Sequence, residues 1–73
     1  MKETEAMRIP IKTAIKKAIE AHHLASGAAR ALALCGAERT EILKARIERA
    51  QAYLSLLDLR LAQASGITEV GRG

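Results

Sequence analysis

The chain has 73 residues, a formal charge of +4, 49% hydrophobic residues and a single aromatic side chain, Tyr53. A chain of that length holds one small domain, which rarely buries enough apolar surface to offset the entropy of its own ordering, so a disulfide, a metal or a second chain is usually recruited. Cys35 is the only cysteine, which excludes an internal disulfide and a cysteine-based zinc site, and no run of about 18 apolar residues marks a membrane span.

Oligomerisation is the remaining staple, so a homodimer is expected. Cys35 reads as a small buried apolar residue in a reducing compartment. The apolar content is almost entirely aliphatic, with fifteen Ala, nine Leu and seven Ile, and Ala and Leu head the helix-propensity ranking. An all-α chain is expected. Met1-Lys2-Glu3-Thr4-Glu5 carries acids and lacks the apolar core of a secretory signal, which points to the cytoplasm.

In chain order, residues 1–9 read as a flexible or extended arm. Ile9 is a poor N-cap and the residue before a proline avoids helical backbone, so Met7-Arg8-Ile9 is expected to be extended, with a helix from about Pro10 to residue 35. Along that helix Ile11, Ala14, Ala18, Ala21, Ala25, Ala28, Leu32 and Cys35 alternate spacings of three and four. This is a heptad seam of mostly small residues, suited to close helix approach. Ser26-Gly27 interrupts it, as a bend, a tight contact or a tolerated exposed pair.

Gly36 can take the left-handed backbone that ends a helix, and Glu38 and Glu41 suit the positive start of the next one. A turn at 36–37 makes the two helices antiparallel. The second helix spans about 38–65, stopped by Gly66, and 66–73 reads as a flexible tail.

That second helix carries two apolar seams about 180° apart. Leu43, Ile47, Leu54, Leu57 and Leu61 carry the larger side chains and are expected in the hairpin core with Ile11, Ala18, Ala25 and Leu32. Ala45, Ala52, Tyr53, Leu56 and Leu59 are then left for a second copy or another protein. The expected architecture is an antiparallel two-helix hairpin that dimerises into a four-helix bundle.

Chemistry is sparse. His22 and His23 are neighbours and point about 100° apart on a helix, whereas ligand pairs need spacings of three or four. No serine has a placed base, and the acids sit near Lys and Arg as solvated helix charges. No catalytic, metal or cofactor residue is assigned, and an enzyme is not expected. Arg8, Lys12, Lys16 and Arg30 form a basic stripe on the first helix with His23, which would serve nucleic acid. Acids on the second helix and the lone aromatic weigh against that use.

The helix lengths and turn position resemble those of short dimeric hairpin regulators of the Rop type, which bind RNA; the resemblance is one of layout and carries no residue. The expected function is a small protein-interaction module, a regulator acting as inhibitor, anti-activator or adaptor of phage or plasmid type. A Rop-like nucleic-acid-binding dimer and a structural oligomer are the alternatives.

Overall fold

A computed structural model describes residues 8–71. The element order is β1 (Arg8–Pro10), α1 (Ile11–Leu34), α2 (Arg39–Ala64) and β2 (Glu69–Gly71). The helices form the expected antiparallel hairpin, a slab of 48 × 26 × 15 Å that is one helix thick.

Both helices stop by the same device. Gly36 has φ 76° and Gly66 φ 93°, a left-handed backbone that only glycine adopts cheaply. Beyond Gly36, the Ala37 N–H reaches back to the Leu32 carbonyl at 3.1 Å. Beyond Gly66, the Ile67 N–H reaches the Ala62 carbonyl at 3.0 Å and the Gly66 N–H that of Gln63 at 3.0 Å. These are Schellman closures, which satisfy carbonyls that the helix leaves free. The first makes the hairpin turn. The second sends the chain back toward its beginning.

That return corrects the expectation for the C-terminal segment. Within 66–73, Glu69–Gly71 is a strand paired antiparallel with β1, in the register Arg8 with Gly71, Ile9 with Val70 and Pro10 with Glu69. The Ile11 N–H continues the ladder to the Thr68 carbonyl at 2.8 Å. Bonded and non-bonded pairs alternate in an antiparallel ladder, so Pro10 falls at an outward position where its missing N–H costs nothing. Periodicity could not reveal this clasp, because three-residue strands carry no legible alternation. Arg8 and Ile9 are extended as expected, and Met7 lies outside the described residues.

The core is thin. Among the described residues Ile11, Ala14, Ala29, Ala45 and Leu56 are the buried side chains, three of them alanine. On α1 the strict heptad reading fails toward the C-terminus: Ala21, Ala28 and Cys35 are exposed, and Ala29 is buried. A straight helix drifts by about 20° per heptad against a 3.5-residue repeat, and over three heptads that moves the seam from Ala28 to Ala29. Cys35 therefore sits in the open, its thiol directed at the Leu32 carbonyl at 3.4 Å.

Gly27 lies on the exposed side of an unbroken helix, with open space where a Cβ would stand. Of the readings for Ser26-Gly27, the tolerated small residue is the one that fits. Gly27→Ala should therefore stabilise the chain by about 0.5–1 kcal/mol, measured as an upward shift of the urea midpoint at constant slope.

Candidate functional site

The largest correction concerns which seam of α2 faces α1. Ala45 and Leu56 are buried, and Ala52 and Leu59 are half-buried. They make up the face that closes the hairpin, and so are not free for a second copy or another protein. Leu43, Ile47, Leu54, Leu57 and Leu61, expected in the hairpin core, are exposed, Leu54 at 59% and Leu61 at 67%. Ile11 is buried, and Ala18, Ala25 and Leu32 on α1 are half-buried.

The physical reason lies in matching small residues with small ones. The contact between the His22 and Tyr53 rings, 5.3 Å between centroids, fixes the relative level of the helices. At that level an antiparallel register sets Ala45 opposite residues 29–30, Leu56 opposite 18–19 and Leu59 opposite 15–16 of α1. Small residues on both seams let the backbones approach closely. A five-residue Leu/Ile ridge set on an alanine seam would hold the helices further apart.

The exposed ridge runs along α2 at spacings of four, seven, three and four, with Ala50 filling the seven-residue gap. From Leu43 to Leu61 it extends roughly 27 Å at 1.5 Å per residue. It points about 160° away from the Ala45 seam, toward the outer edge of the hairpin. Tyr53, expected at an interface, is 48% exposed and flanks the ridge while stacking at a tilt on His22. His22 is half-buried and His23 exposed, their rings 6.2 Å apart edge-on.

The basic stripe changes membership. Arg8 belongs to β1 rather than to the helix, and its guanidinium lies 3.9 Å from Glu69 across the clasp. Lys12, Lys16 and Arg30 remain on α1, all exposed. Arg8–Glu69 is the one ion pair among the described residues, so the acids and bases of α2 do not pair with one another. Beside the turn, Ala37, Arg39, Ile42, Leu43 and Arg46 line an open concavity of about 300 Å³. Among the described residues no three His, Cys, Asp or Glu side chains gather as metal ligands would. No helix among the described residues is long and apolar enough to cross a membrane.

No protein-family model, curated protein or solved structure matches this chain.

Proposed function

We propose that this protein is a non-catalytic interaction module that self-associates through the outer ridge of α2. The observation that supports this is the Leu43, Ile47, Leu54, Leu57 and Leu61 row, exposed at heptad spacing on a helix whose other seam is already filled. Among the described residues nine large apolar side chains are exposed and two, Ile11 and Leu56, are buried. A fold with so thin a core gains most from covering that ridge.

A second copy fits the ridge best, because sustained four-three spacing is the pattern that packs helix on helix. The two seams of α2 lie nearly opposite each other, so pairing α2 with α2 of a second copy gives four helices in a row. A square bundle would need the seams about 90° apart. As a regulator, the module would work by presenting or exchanging this ridge: an amphipathic helix of another protein that takes the place of the second copy would be blocked or recruited. A reducing cytoplasm suits its single open thiol.

Sedimentation velocity tests the reading. At tens of micromolar the wild type is expected as a dimer and Leu54→Glu with Leu61→Glu as a monomer of unchanged helical circular dichroism. A wild type that stays monomeric at every concentration overturns it.

A further inference from the structure

We infer that one broad face of the hairpin is a docking surface for double-stranded nucleic acid, engaged through its phosphates. Charge is sorted by side about the two helix axes. Measured from the direction that faces the other helix, Lys12 and Arg30 lie at about 100° and Lys16 at about 140° round α1. On α2, Arg49, Arg60, Arg46 and Arg39 lie between about 40° and 120°.

Two right-handed helices that run antiparallel turn their positive angles to the same side of the pair. All seven cations therefore share one broad face. The His22–Tyr53 contact confirms the geometry independently: these rings stand at about 20° and 80°, and they touch across that same side. Glu41, Glu48 and Asp58 lie at about −40°, −60° and −140° round α2, on the opposite side with Lys17 and Lys44. One face thus carries seven positive charges, with Glu20 at its outer edge at about 180° round α1 and Glu38 at the start of α2 as the nearest acids, and the other carries three acids against two lysines. The acids of α2 that weighed against nucleic acid in the sequence are on the back of the slab.

None of the seven cations has a carboxylate partner among the described residues. Arg39, Arg46 and Arg60 are separated by seven and then fourteen residues, so their charges follow one line of the rod at spacings of about 10 and 21 Å. The α1 row runs beside it at a helix-packing distance of about 8–10 Å. A rigid two-row array of this kind suits the backbone of a duplex, which presents closely spaced phosphates along two strands and is bound largely by counterion release. A single strand would need several stacking rings, and Tyr53 is the one aromatic in the chain. A lipid surface would take up the leucine ridge, which lies on the slab's edge about 80° round α2 from Tyr53. No base reading is implied, since no helix is shaped to enter a groove while its neighbour lies alongside. The surface is complete in one hairpin, so it does not rest on self-association.

The test uses the full chain and a fluorescein-labelled 24-base-pair duplex of mixed sequence, followed by anisotropy. Binding is expected at 50 mM NaCl and should weaken by about 10³-fold at 200 mM. Arg46→Glu with Arg60→Glu should weaken it at least tenfold at 50 mM. Lys17→Glu with Lys44→Glu, which changes net charge equally on the opposite face, should weaken it less than threefold. Circular dichroism checks that both variants remain helical, and Arg46→Gln with Arg60→Gln repeats the comparison without added negative charge. No binding at 50 mM, equal losses from the two charge reversals, or retention on phosphatidylserine vesicles without duplex binding overturns the inference.

Discussion

Leu56→Glu is expected to unfold this chain, while Leu54→Glu, two residues away, leaves the hairpin helical. Leu56 is 6% exposed and is the only large side chain that α2 buries; Leu54 is 59% exposed on the outer ridge. Replacing Leu56 forfeits about 2–5 kcal/mol of packing, and an unpaired carboxylate in that position adds a desolvation cost of several kcal/mol. Domains of this size rarely hold more than about 3–5 kcal/mol in total, so the sum exceeds what keeps the chain folded. Far-ultraviolet circular dichroism at 25 °C distinguishes the two variants. A helical Leu56→Glu protein would mean that the Ala45–Leu56 seam is not the one facing α1.

Val70→Asp is expected to lower the melting temperature by roughly 8–16 °C. Val70 is half-buried opposite Ile9 in the clasp, and behind them Ile11 is buried at the point where α1 begins. Opening the clasp returns about half of two aliphatic side chains to water, about 2 kcal/mol with the cross-strand pair. For a domain of this size each kcal/mol moves the midpoint by about 4–8 °C. Thr68→Asp is the control, because Thr68 contributes its carbonyl to Ile11 and its side chain is exposed. It should melt within a few degrees of wild type. Equal melting of both variants would show that the ribbon adds nothing to the helices.

The hairpin was legible in the sequence because its signals are local: Gly36 and Gly66 mark stops that the backbone takes up by left-handed turns. The pairing of seams was not legible. Each apolar row of α2 has the heptad spacing that would fit it against a neighbour, and spacing does not say which neighbour. Size decided it. The alanines of α1 accept the alanines of α2, and the leucine ridge, although it looks more like a core, is the one left outside. The same angular reading explains why a basic stripe on one helix understated the charged face. Four of its seven cations are arginines separated from the stripe by the turn, and only the antiparallel fold brings the two rows to one side.

The clasp also has a mechanical consequence. Arg8 and Gly71 are register partners at the outermost rung of the ribbon, with the chain's two halves running side by side from there to Gly36. A load applied between these two residues pulls across the strands, so it falls on one rung at a time. The ribbon opens from Arg8–Gly71 to Pro10–Glu69, and the helices then peel apart level by level until the turn is reached. Pulling between Arg8 and Gly36 instead loads α1 along its own axis, so its packing against α2 is sheared along the whole length at once. The described hairpin is thus a zip when pulled across the ribbon and resists in shear when pulled between the ribbon and the turn.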